Sequence, residues 1–174
     1  GIIDAEKPQI NLKGDIYISI MQNEAYLEPG YSAADNMDGD ITSKVVVEGS
    51  VNTGVPGSYI LRYKVSDAVG NISENTRTVK IIGLGEIVLV LNGKVVDGDM
   101  VVLNSKNVMI SGIGNEGSYV MKWAEGKRTQ AYFKSEGNKL ITGEATWFES
   151  SKWYTFFIQD KERKTKSIQV YINE

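Results

Sequence analysis

The residues predict an all-β chain built as two tandem antiparallel β-sandwiches, residues 1–83 and 84–174. Three observations lead there. Apolar and polar side chains alternate at period 2, as in Ile16, Ile18 and Ile20 or in Tyr59, Leu61, Tyr63 and Val65. Clusters of Gly, Pro, Asn and Asp separate these runs at short intervals. No window of about 11 residues or more carries a clean helical period.

Taken in order, Asp4-Ala5-Glu6-Lys7-Pro8 reads as a linker, because Pro8 biases its predecessor towards extended backbone. Ile10 and Leu12 make a short strand, followed by the alternating run from Ile16 to Ile20. Glu28-Pro29-Gly30 is a turn, and Tyr31 leads into an acidic loop, Ala34-Asp35-Asn36-Met37-Asp38-Gly39-Asp40-Ile41-Thr42. Val45, Val46 and Val47 give another strand, and residues 52–57 another turn. The strongest strand covers residues 59–65. A second polar turn, Ser66-Asp67-Ala68-Val69-Gly70-Asn71, precedes a return strand whose Val79 and Ile81 face the core.

Gly83-Leu84-Gly85 marks the boundary. Beyond it, residues 87–91 form a strand, and Asn92-Gly93 is a strong hairpin signal, since a type I′ turn wants positive φ at both positions. Residues 94–96 and 100–103 continue the meander, and residues 108–111 add a strand before a loop at Gly112–Gly117. Tyr119, Met121 and Trp123 share one face. Glu125-Gly126 turns the chain into a further strand over residues 128–133, and Glu136-Gly137-Asn138 turns it again. Residues 152–159 make a long strand, and Ile168, Val170 and Ile172 the last.

Composition narrows the function. The chain has 174 residues, 41% of them hydrophobic and 24% charged, with net charge −3. No general basic surface exists, which argues against nucleic acid. Residues 1–83 carry 7 basic and 11 acidic groups against 12 and 11 in residues 84–174, and 5 aromatics against 11. The absence of cysteine and histidine excludes cysteine nucleophiles, Ser-His triads and zinc sites built from thiolate or imidazole. No apolar run reaches the roughly 20 residues of a membrane span. Gly1-Ile2-Ile3 has neither the charged nor the apolar region of a signal peptide, so any export signal or anchor is expected outside this stretch.

Several landmarks carry a resemblance. Lys7-Pro8-x-Ile10, Glu28-Pro29-Gly30-Tyr31, the loop from Ala34 to Thr42, Gly57-Ser-Tyr-x-Leu-x-Tyr-x-Val-Ser-Asp67, Gly70-Asn71 and Thr78-Val79-x-Ile81 stand in one order. Together they resemble the bacterial immunoglobulin-like surface domains that occur in tandem on Gram-positive cell-wall and secreted proteins. The second half is similar to such repeats at Lys122-Trp123-Ala124, Gly126, Tyr132-Phe133, Trp153-Tyr154-Thr155 and Asp160-Lys161. It departs at the closing turn, where Asp160-Lys161-Glu162-Arg163-Lys164 replaces the usual Asp-x-x-Gly-Asn. The resemblance implies two tandem immunoglobulin-like sandwiches, a non-enzymatic extracellular role as spacer or interaction unit, and neighbouring modules of the same polypeptide as partners.

Two candidate sites emerge. Asn36, Asp38 and Asp40 alternate like the first ligands of an EF-hand, but Gly39 is misplaced and the twelfth position holds Val47 instead of a bidentate Glu. A different Ca²⁺ site is open to Asp35, Asp38, Asp40, Asp67 and Asn71 if their two turns approach each other. The alternative is that these side chains cap their own turns. Carbohydrate binding, as in an adhesin, would use exposed aromatics of the second half, with Trp147, Phe148 and Trp123 the candidates and glycan or host matrix protein the partner. Core packing competes for the same rings. Paired-carboxylate hydrolysis is the only enzyme class left open, and small sandwiches rarely offer its cleft. The basic run from Lys161 to Lys166 reads as a solvated hairpin tip, or as contact for an anionic polymer.

Overall fold

The computed structural model describes residues 3–114 and 119–173. The chain divides into two compact units, Gly1–Gly83 and Leu84–Glu174. No helix among the described residues is long and apolar enough to cross a membrane.

The first unit faces two sheets. One is ordered β1 (Gln9–Leu12), β3 (Tyr31–Asp35), β4 (Gly39–Asp40), and the other β2 (Tyr17–Met21), β7 (Ile72–Ile82), β6 (Gly57–Ser66), β5 (Val46–Glu48). The long β6–β7 hairpin dominates, with Leu61, Tyr63, Val79 and Ile81 buried between the sheets beside Ile10, Leu12, Ile18 and Ile20. Period-2 alternation explains this, because the same face of each strand meets the opposite sheet. The pairing is not wholly antiparallel: β2 runs parallel to β7. Local pattern does not encode that choice, since residues 22–71 separate the two strands.

The second unit repeats the plan. Its larger sheet runs β10 (Met100–Leu103), β16 (Thr165–Ile172), β15 (Lys152–Asp160), β12 (Tyr119–Glu125), β13 (Asn138–Leu140). The smaller runs β14 (Ala145–Trp147), β11 (Asn107–Ile113), β8 (Val88–Leu91), β9 (Lys94–Val96). Again one pair is parallel, β10 with β16. Leu89, Ile110, Phe156, Ile158, Ile168 and Val170 fill the space between the sheets. The loop expected over Gly112–Gly117 begins later, since β11 continues to Ile113, and residues 115–117 lie outside the described residues.

Residues 128–133 are not a strand. They enter a 3-10 helix, Gln130–Lys134, in a strap that crosses the outer face of the larger sheet. Phe133 stacks on Phe157 with ring centroids 5.0 Å apart, and the Arg128 amide donates to the Thr155 hydroxyl at 2.8 Å. The sheet already has β13 at the edge beside β12, so the strap covers a face instead of adding a strand. That cover explains why residues 154–158 of β15 are all buried although only alternate ones point between the sheets.

Both units share a route for the chain. In the first, Asp4 and Pro8 lie beside the β6–β7 corner, held by the Asn71 amide at 3.2 Å and the Ser73 hydroxyl. The chain leaves from Ile82, at the other end of the 11-residue β7, roughly 33 Å away. In the second, Gly85 lies at the β15–β16 turn, where its carbonyl accepts from Lys164 Nζ at 3.2 Å. The chain leaves past Ile172 at the far end of β16, where the Asn173 amide donates to Leu103 O. Each unit is thus threaded from pole to pole.

Candidate functional site

The acidic loop and the β6–β7 turn do meet. The Asp38 carboxylate accepts from the Ala68 amide at 2.6 Å, tying the first turn to the second. Within its own turn, Asp35 Oδ2 accepts from the amides of Met37 and Asp38 at 2.9 and 3.0 Å. Asp67 Oδ1 accepts from the amides of Val69 and Asn71 at 3.1 and 2.7 Å, and its Oδ2 from the Asn71 side chain at 2.7 Å. Burial pushes the Asp67 carboxyl up, but the Asn71 side chain and the surrounding amides outweigh it and hold the group below the usual carboxylate range.

The five residues marked by sequence divide here. Asp35 and Asp67 come together, buried, with Asn71 holding Asp67 in place. Asp38 serves as the clasp between the turns. Asp40 is exposed and caps Thr42, accepting from its amide at 2.9 Å, because its β4 position directs it away from the second turn. A residue read as linker takes the vacant role: one carboxylate oxygen each from Asp4, Asp35 and Asp67 lie within 4.8 Å of one another. Asp4 arrives there through antiparallel β1–β3 pairing, in which Gln9 faces Ala34, so the segment before β1 runs back along the acidic loop. Only that register reveals it, and residue spacing along the chain does not contain it.

One atom of this cluster is unsatisfied. Asp35 is 7% exposed, and its Oδ1 is buried with no hydrogen-bond donor. Leaving such an acceptor without a partner costs about 1–3 kcal/mol. All donors to metal in the cluster would be oxygen, which suits a hard divalent cation. Beside it, Glu6, Lys7, Gln9, Ala34, Asp35 and Asn36 line a cleft of about 270 Å³.

A second buried polar cluster in this unit centres on Arg77. Arg77 is fully buried and donates to the carbonyls of Lys13 and Gly30 at 2.9 and 3.2 Å, to Asp15 O, and to Glu28 at 3.3 Å. Glu28 also accepts from the hydroxyls of Tyr63 and Tyr26 and from the Gly30 amide. Partial burial raises the Glu28 carboxyl, yet these donors and Arg77 bring it below its ordinary value. Strand alternation placed Arg77 on the core face with Val79 and Ile81. What sequence lacked was its counter-ion, inside a motif read only as a turn.

In the second unit the aromatic candidates scatter. Trp147 is 67% exposed on the edge strand β14. Phe148 is a correction: it is 1% exposed, packed against Trp123, Tyr154 and Phe156, so its ring offers no surface to a sugar. Trp123 is half-buried edge-on to Phe148 and Tyr154, on the β12 face that looks between the sheets. These three make no common platform. A different concavity lies between the strap and the β15–β16 hairpin. It measures about 750 Å³, walled by Phe133 and Phe157, with Gln130 and Gln159 amides and the cations Lys134 and Arg163. Among the described residues its lining holds no carboxylate.

The closing turn of this unit keeps its shape without Gly-Asn. Asp160 N donates to Lys164 O, and Arg163 N to Asp160 O, matching the bonds of Asp67 with Asn71 and Gly70. Arg163 takes φ 66° where Gly70 has 97°. Lys164 gives Asp160 Oδ1 its amide at 2.9 Å but has no side-chain amide to offer, and buried Asp160 Oδ2 has no partner.

Residues 10–81 match the family described as bacterial surface protein, Ig-like domain. No curated protein matches the chain in sequence. Solved structures align at low identity. The lipoprotein BT2262 from Bacteroides thetaiotaomicron is 23% identical, with a TM-score of 0.42 over 88% of this chain and 61% of that one. The CBM51-2 and INT domains of Clostridium perfringens ZmpB, solved with GlcNAc, are 19% identical, with a TM-score of 0.37 over 94% and 43%. The fibronectin(III)-like modules of Clostridium thermocellum CbhA are 11% identical, with a TM-score of 0.31 over 95% and 94%. The chain spans less than two thirds of the first two. In sequence, residues 10–81 are thus similar to the bacterial surface protein Ig-like domain, and a second β-sandwich follows in tandem.

Proposed function

We propose that this chain is a non-enzymatic spacer and interaction unit of a larger bacterial surface or secreted protein, of the Gram-positive type. The observation that carries the reading is the pole-to-pole path through each unit. A module entered and left at opposite ends of its longest strand adds that strand's length to an assembly. Tension along it loads the β1–β3 and β2–β7 hydrogen bonds of the first unit, and β10–β16 of the second, in shear. Pulling the intact chain through its ends tests this. Two separate unfolding events are expected, each releasing on the order of 250 Å of contour, since extended chain spans roughly 3.3–3.6 Å per residue. A single event, or gradual yielding without force peaks, contradicts it.

A second reading, binding of an acidic glycan by the second unit, is favoured by the strap cleft instead of the tryptophans. Amides that can bond sugar hydroxyls stand there beside Lys134 and Arg163. Titration with uronate-bearing and neutral oligosaccharides, read by thermal shift, separates a binder from a plain spacer. The binder shows a shift for the acidic sugar that Lys134→Ala removes, and the spacer shows none.

A further inference from the structure

Three carboxylates of the first unit converge from three segments of chain: Asp4 before β1, Asp35 at the end of β3, and Asp67 at the end of β6. Like charges within 4.8 Å repel strongly, and more so where burial removes water. Among the described residues no ion pair reaches any of the three; Lys7 lines the neighbouring cleft without pairing with them. Hydrogen bonds neutralise only part of the set. Asp67 is well supplied with donors, and Asp35 Oδ2 has two, but buried Asp35 Oδ1 has none. A buried acceptor without a donor, inside a group of converging carboxylates, is the position a cation would satisfy.

We infer that Asp4, Asp35 and Asp67 form a divalent-cation site, with Ca²⁺ the fitting ion, that pins the segment leading into the first sandwich onto its acidic corner. Oxygen-only donors exclude a preference for soft metals. Ca²⁺ accepts irregular oxygen sets at 6–8 coordination, whereas Mg²⁺ demands near-octahedral geometry. The leading segment is already placed by Asn71 on Asp4 O and Ser73 on Pro8 O, so the ion locks an existing arrangement. The site stands without the spacer reading, though in a spacer it would stiffen the approach to the first module.

The test uses the whole chain after chelator treatment, titrated with CaCl2 at constant ionic strength and followed by calorimetry and by Glu-C cleavage after the exposed Glu6. One melting transition is expected to rise saturably by about 5 °C or more, with cleavage slowed at least tenfold. Asp4→Asn, which removes no buried hydrogen bond and relieves repulsion within the cluster, is expected to leave the calcium-free midpoint no lower than wild type and to lose at least tenfold in apparent affinity. Asp35→Asn removes the shift altogether, and exposed Asp40→Asn keeps it. Absence of any shift at millimolar Ca²⁺ overturns the inference, as does an equal shift from NaCl or an unchanged affinity in Asp4→Asn. The pulling experiment is independent, because two unfolding events are expected whether or not calcium binds.

Discussion

Arg163 holds a left-handed backbone conformation that costs an L side chain roughly 1–2 kcal/mol, at the position where the sister turn has glycine. Next to it, Lys164 leaves Asp160 Oδ2 without the amide that Asn71 gives Asp67. Restoring both, as Arg163→Gly with Lys164→Asn, is expected to stabilise the second unit by about 2 kcal/mol in urea unfolding followed by tryptophan fluorescence. The departure was plain in the sequence. That the turn would survive it was not, because the backbone bonds closing it are indifferent to side chains. Glu28 supports a prediction in pH. Its carboxyl is lowered on folding, so its contribution is complete above the ordinary value of 4.5 and lost as pH falls below that. Glu28→Gln should therefore flatten the stability profile of the first unit below about pH 5 while lowering stability at neutral pH. A profile as steep as wild type would place the acid sensitivity elsewhere.

Elements were legible where one strand decides its own pattern. The β6 and β7 runs show their buried face in bare alternation, and Arg77 shares it. Features that depend on a partner distant in sequence were hidden. The parallel pairings β2–β7 and β10–β16, the register that brings Asp4 to Asp35, and the strap over β15 all belong to this class. Phe148 shows the limit sharply. It follows Trp147 in an irregular stretch, yet one ring faces water and the next fills the core. Trp147→Ala should change stability by less than about 0.5 kcal/mol, whereas Phe148→Ala should cost about 3–5 kcal/mol. Similar costs for both would mean that β14 packs differently. The contrast also bears on binding, since a lone exposed tryptophan makes a poor sugar platform without neighbours. The strap cleft, assembled from residues 130–134 and 157–165, offers a richer surface.

The molecule consists of two units that each close their own apolar interior. The first buries Tyr63, Val79 and Ile81, and the second a larger set rich in aromatic rings. All three tryptophans, Trp123, Trp147 and Trp153, lie in the second unit, so their fluorescence reports on it alone. This gives a direct test in the intact chain. Ile81→Ala empties a position that is 1% exposed in the first core and should cost that unit roughly 2–5 kcal/mol. Urea unfolding of this variant should show an early circular-dichroism transition while the tryptophan midpoint stays where it is in wild type. A tryptophan midpoint that moves down with the first transition would show one cooperative core, and the two-unit account would fail.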